Sequence, residues 1–205
     1  MGQLLQYKLN DRWWWHWLPP LALLIVSVGI ALLGAEAGEW LRYQRSHILH
    51  GEWWRLFTGH IVHLGWSHWW LNMAGLLLLW VLVGGALPLR HWWWFMVFSA
   101  LGISLGLLCW LPGLGWYVGL SGLLHGMLLA GALQQAVQGE RDAMGVVVIV
   151  LAKVAWELLH GPLPGSREAA GGEVVVQAHA LGALCGLLYL PWLRLSRVLR
   201  RWSTS

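Results

Sequence analysis

Ser121, His179, His68 and Asn72 are the residues of this 205-residue chain whose types and surroundings suit covalent chemistry. Ser121 stands in the run Gly119-Leu120-Ser121-Gly122, at the mouth of an apolar stretch. Glycine permits a tight turn there, and a helix beginning at Ser121 offers free backbone N–H groups and the positive end of its dipole. Such a setting suits a nucleophile that must stabilise a developing oxyanion. His179 lies beside Ala178, Gly182 and Gly186, small residues at a spacing of four. Small residues let helix backbones approach closely, and this stripe would carry His179 to Ser121 as a general base. His68 and Asn72 share one helix face and add hydrogen-bond donors. Singly, each has a plainer reading: a serine bonding back to its own helix, or a histidine or asparagine bonding a neighbouring one. What sets them apart is a shared depth in the structure that the chain must form.

That structure belongs in lipid. Hydrophobic residues make up 58% of the chain and Asp, Glu, Lys and Arg only 11%, with a mean hydropathy of +0.58. A typical soluble domain carries about 25% charge, and too little polar surface remains here to wrap a water-soluble globule that also holds 19 Trp. A soluble enzyme, a disordered chain and a nucleic-acid module are all excluded, despite a pI near 9.5. A hydrocarbon layer about 30 Å thick needs about 17–25 apolar residues per helix. Six stretches come near that length, at about 18–34, 67–84, 92–111, 121–138, 144–160 and 174–193. Breaks at Gly84-Gly85, Pro88, Pro112-Gly113 and Gly139–Asp142 separate several of them. The expectation is an all-α polytopic membrane protein, a six-helix bundle forming one domain over residues 1–205. The first stretch has an apolar core of about 17 residues, longer than the roughly 7–15 of a signal peptide, and is read as a span. Residues 35–66 are too apolar for a plain solvent loop and should lie partly in the membrane interface.

Charge sets the orientation. With the N-terminus inside, Lys8, Arg12, Arg90, Arg141, Arg194, Arg197, Arg200 and Arg201 are cytoplasmic, against Arg42, Arg45, Arg55 and Arg167 outside. The positive-inside rule therefore puts both termini in the cytoplasm. Trp13, Trp14, Trp15, Trp17, Trp92, Trp93, Trp94 and Trp192 then fall at the inner interface, and Trp53, Trp54, Trp66, Trp69, Trp70 and Trp116 at the outer one, as anchors. Cys109 and Cys185, without paired spacing, read as small buried residues. In this topology the second, fourth and sixth helices run inward from outside. His68, Asn72, Ser121 and His179 then lie within about two turns of the outer edge, three helices placing polar groups at one level. A channel would need polar groups through both leaflets. The inner halves of these helices are apolar apart from Gln134, Gln135 and Gln138.

The motifs GLSG at 119–122, AHALGALCG at 178–186, HWWLN at 68–72 and Trp54-Arg55 together resemble the rhomboid intramembrane serine proteases, in order and over about 18–193. The resemblance implies a six-span rhomboid bundle, a Ser121–His179 dyad without an orienting acid, and oxyanion support from His68, Asn72 and the Ser121 backbone N–H. It calls for no cofactor and no nucleic acid. A narrower resemblance, carried by GEWWRLFTGHIVHLGWSHWWLN, GLSGLLHG and KVAWE, is to the rhombosortase branch. It implies a bacterial inner-membrane enzyme with its site toward the periplasm. The implied partners are secreted proteins anchored by a C-terminal tail of a Gly-Gly motif, a transmembrane helix and basic residues. Transfer of the acyl group to an amine, such as an ethanolamine-bearing membrane molecule, is implied alongside hydrolysis.

Gly119, His125, Lys153 and Glu157 are further candidates, as residues that meet substrate or support those that do. Many rhomboids carry Tyr where this chain has His125, a side chain that packs on the catalytic histidine; packing and proton transfer are both open to His125. Lys153 and Glu157, four apart on the fifth helix, form either an intrahelical ion pair or a substrate-positioning group beside the lateral access route, with His160 one turn on. Spacing among His60, His63 and His68, with His47 and His50 beyond, is compatible with zinc. His68 is already engaged in the rhomboid pattern and His63 reads as loop packing, so no metal is expected.

Overall fold

A computed structural model describes residues 13–202, with side chains from 15 to 191. Lys8 and Arg12, and the side chains of Trp13, Trp14, Trp192, Arg194, Arg197, Arg200 and Arg201, lie outside the described residues. Pro at the start of α1 (Leu18–Leu32) suits a first helical turn, where its missing N–H has no partner to lose. An outer segment follows, built from α2 (Ala35–Leu41), β1 (Tyr43–Gln44), α3 (Arg45–Leu49) and α4 (Arg55–Thr58). Then come α5 (Trp66–Val83), α6 (Leu89–Trp110), β2 (Trp116–Tyr117), α7 (Ser121–Val137), α8 (Arg141–His160), the short α9 (Ser166–Ala170) and α10 (Val176–Trp202).

The six expected spans thus correspond to α1, α5, α6, α7, α8 and α10. Four helical stretches, Trp15–Leu32, Trp66–Ala86, Leu89–Trp110 and Arg141–His160, are long and apolar enough to cross a membrane. Val176–Pro191 is a shorter apolar helix. With 17 residues, α7 is short as well. The outward faces are apolar: Leu77, Leu78 and Val81 on α5 and Val148, Ile149, Leu158 and Leu159 on α8 are all exposed. Water would penalise such faces and lipid does not. The chain is a polytopic all-α membrane protein.

At the centre, α7 packs between α5, α6, α8 and α10. Ile103, Leu107, Leu120, Met127 and Leu129 are wholly buried there. Trp69 and Trp92, expected at the interfaces, are instead core residues, at 4% and 0% exposure. Each indole N–H has found an internal acceptor, Trp69 on Ser27 Oγ at 3.0 Å and Trp92 on the Gly84 carbonyl at 2.9 Å, which removes the cost of burying it. Cys109 departs in the other direction: Cys185 is buried, but Cys109 is exposed.

The outer segment is held from within. The Arg55 guanidinium, 3% exposed, donates to the carbonyls of Glu39 and Arg42, each at 2.9 Å, and to Glu52 Oε2 at 2.6 Å. His60 Nε2 donates to the Ala100 carbonyl and Ser104 Oγ, both at 3.0 Å, joining the segment to α6. The two short strands pair antiparallel, Tyr43 with Tyr117 and Gln44 with Trp116, so the outer segment is fastened to the chain just ahead of Ser121.

Candidate active site

Ser121 is the first residue of α7. The turn before it requires glycine, because Gly119 has φ +126° and a Cβ there would lie 2.8 Å from His68 Cε1. The Gly119 carbonyl accepts from the Tyr117 hydroxyl at 2.7 Å, and its N–H donates to Gly59 at 3.1 Å. The entrance to α7 is therefore fixed from both sides, and the first-turn amides of α7, that of Ser121 among them, have no acceptor within the helix.

The expected small-residue stripe operates between α7 and α10. A Cβ on Gly182 would fall 1.9 Å from the Gly122 carbonyl oxygen, and one on Gly126 would fall 2.5 Å from that of Gly182. The two backbones touch, as they can only where neither carries a side chain. This contact delivers His179, 5% exposed, to Ser121: Nε2 stands 2.9 Å from Ser121 Oγ.

On its other side, His179 Nδ1 lies 2.8 Å from Glu157 Oε2, and Glu157 is 2% exposed. The expected dyad is thus corrected: α8 supplies an acid behind the histidine. A carboxylate only accepts, so the imidazole proton belongs on Nδ1 and the Nε2 lone pair faces the serine hydroxyl. Glu157 Oε1 accepts from Lys153 Nζ at 2.7 Å, which realises the expected intrahelical pair. Each oxygen of Glu157 thus has a partner within the protein. His160 bonds its own helix, Nδ1 to the Trp156 carbonyl at 3.3 Å, and stacks on Trp156.

His125 stacks on His179, with centroids 4.2 Å apart and planes 16° from parallel, while its Nδ1 donates to the Ser121 carbonyl at 2.7 Å. His68 accepts at Nδ1 from the Leu64 N–H at 3.3 Å, so its proton belongs on Nε2. A Cβ on Gly119 would lie 3.0 Å from that nitrogen and 4.0 Å from Ser121 Oγ, so the ring and the hydroxyl face the same turn. Asn72, buried, donates instead to the His68 carbonyl at 3.1 Å, one turn back on α5. His63 packs edge-on against His68 at 5.2 Å, consistent with a packing role.

Ligand atoms of His125, Glu157 and His179 lie within 4.8 Å of one another. The stacked rings hold their lone pairs in nearly parallel planes, which cannot converge on one ion about 2.0–2.1 Å from each nitrogen. The cluster fits proton transfer better than metal. A separate cavity of about 340 Å³ between the outer end of α1 and the outer segment is lined by Glu39, Arg42, His63, Trp66 and Trp116 among others, but by neither Ser121 nor His179.

The sequence shows Glu157 as a candidate but not its contact with His179. The signal was an acid in an apolar helix, paired with a lysine that by itself accounted for it. The β1–β2 clamp carried no signal at all, being two residues long on each side.

No curated protein matches the chain in sequence. The family model described as the Rhomboid domain matches residues 50–196, a stretch that contains His68, Asn72, Ser121, His125, Lys153, Glu157 and His179. Members of that family are generally intramembrane serine proteases acting on membrane-protein substrates in the bilayer. With the motifs, the apolar helices and this match in agreement, the chain belongs to the rhomboid family.

Proposed function

We propose that the protein is an intramembrane serine protease in which Ser121 is the nucleophile, His179 the general base and Glu157 the group that orients it. The observation that carries this reading is the unbroken chain Ser121 Oγ–His179 Nε2 at 2.9 Å and His179 Nδ1–Glu157 Oε2 at 2.8 Å. Ser121 Oγ attacks the scissile carbonyl carbon while its proton passes to His179 Nε2. The resulting imidazolium is held between the Glu157 carboxylate and the face of His125. The Ser121 N–H and His68 Nε2–H receive the oxyanion; Asn72 turns its amide from the His68 carbonyl to join them once substrate arrives. As the tetrahedral adduct collapses, the C–N bond breaks and Nε2 returns the proton to the leaving amine. An acceptor then attacks the acyl ester, its proton again taken by His179; the bond to Ser121 Oγ breaks and Nε2 returns that proton to Oγ.

The substrates we propose are secreted proteins ending in a Gly-Gly motif, a transmembrane helix and a basic tail. Glycine resists leaving a helix less than other residues do, and cleavage needs an extended backbone. The acceptor is water or the amine of an ethanolamine-bearing membrane molecule. The rhombosortase resemblance and the bias of basic residues support a bacterial inner membrane with the site toward the periplasm. The test is a reporter with such a tail, co-expressed with wild type, Ser121→Ala and His179→Ala, followed by the mass of the released product. Release by wild type alone is expected, and the mass separates a free carboxylate from an attached acceptor. Equal release by all three forms would end the protease reading. An intact tail in all three would end the narrow substrate assignment and leave other single-pass membrane proteins as the substrates.

A further inference from the structure

We infer that Lys153 is a positioning residue of the catalytic chain, the counter-ion that keeps Glu157 an acceptor and so keeps the His179 proton on Nδ1. The inference rests on the Ser–His–Glu reading and extends it by one residue. Glu157 is 2% exposed and makes two contacts, Lys153 Nζ at 2.7 Å through Oε1 and His179 Nδ1 at 2.8 Å through Oε2. While His179 is neutral, Lys153 is the cation that the structure sets against that carboxylate. Helical spacing enforces the pairing, since residues four apart lie one above the other on one face of α8.

A buried carboxylate without a counter-ion is costly and tends to neutralise. A neutral carboxylic acid carries an O–H and can donate to Nδ1. It would then favour the opposite tautomer, with the ring proton on Nε2, where it blocks proton transfer from Ser121. Lys153 is therefore placed to act on the chemistry without touching substrate. Its side chain is 30% exposed, so the stem reaches the outer surface of the helix while the ammonium turns back to Glu157.

The test measures reporter cleavage and the rate at which a fluorophosphonate labels Ser121, in detergent-solubilised full-length protein. Lys153→Met is expected to lower kcat and the labelling rate about 10²-fold with KM within about twofold, because only proton transfer is affected. Lys153→Arg, which restores a cation at similar reach, is expected to stay within about tenfold of wild type. In a Glu157→Gln background, Lys153→Met is expected to change nothing further, since the group it acts through is already neutral. Three results would each overturn the inference: wild-type kcat in Lys153→Met, a loss confined to KM, or an equal loss in the Glu157→Gln background. If Lys153→Met does not fold, Lys153→Gln takes its place under the same criteria. A wild-type protein that fails to label would instead sink the Ser–His reading itself, so the two failures are distinguishable.

Discussion

An imidazole can take the Ser121 proton only while its own proton stays on the far nitrogen, and Glu157 Oε2, 2.8 Å from His179 Nδ1, is the acceptor set against that proton. Glu157→Gln preserves volume but presents an amide that can donate or accept, so the tautomer is no longer fixed. The expected result is a fall in kcat of about 10³–10⁴-fold with little change in KM, measured on the reporter. His125→Phe keeps an aromatic face against His179 and should retain most activity, whereas His125→Ala should lose about tenfold or more. Steady-state kinetics of the pair decides whether stacking or a titrating nitrogen matters at that position. Ser121 and His179 were legible as candidates because their neighbours are glycines and alanines, which announce close approach. Glu157 was legible as a candidate but not as a partner of His179, because its lysine partner four residues back already satisfied it locally. Only the packing of α8 beside α10 brings its second oxygen to the histidine.

At the scale of the elements, the α7–α10 contact sets the geometry. Gly182→Ala would drive a methyl into the Gly122 carbonyl, from which its Cβ would lie 1.9 Å, so the helices must part. Overpacking of this kind costs about 1–3 kcal/mol. The predicted outcome is a lower unfolding midpoint together with slower labelling of Ser121. Gly145→Ala on α8 is the contrast, since nothing lies within 4 Å of its Cβ position and midpoint and activity should both hold. A second feature is the length of α7: 17 residues rise only about 25 Å, less than a hydrocarbon layer of about 30 Å. Hydropathy revealed the helices, because lipid demands long apolar runs. It could not reveal the β1–β2 pairing, which depends on two distant dipeptides meeting.

At the scale of the whole molecule, large apolar side chains cover much of the outside of the described residues, while the buried Glu157 and His179 of the site and Arg55 of the outer segment are paired within the protein. The tryptophans show why composition alone misplaces residues. A run of Trp says that a helix is near an interface, but Trp69 and Trp92 turn inward where Ser27 and Gly84 offer acceptors. The outer segment hangs on Arg55 and Glu52. Hydrogen bonds from His47 and then Arg55 hold the Glu52 carboxyl below its ordinary value of 4.5. A carboxyl shifted down contributes stability that is complete above the ordinary value and is lost as pH falls through the lower, folded one. Amide exchange over residues 45–58 should therefore accelerate as pH falls through the range below the ordinary carboxyl value, beyond its intrinsic change. Glu52→Gln, which has no proton to take up, should show no such step.

The central claim is that His179 activates Ser121 within the membrane domain, and substrate-free labelling tests it most directly. Purified wild type, His179→Ala and Ser121→Ala would be treated with a fluorophosphonate and the modified peptide mapped by mass spectrometry. The account predicts one phosphonyl adduct on Ser121 in wild type, a rate reduced at least about 10³-fold in His179→Ala, and none at that peptide in Ser121→Ala. Labelling of Ser121 at the same rate with and without His179, or no adduct on wild-type Ser121, would contradict it.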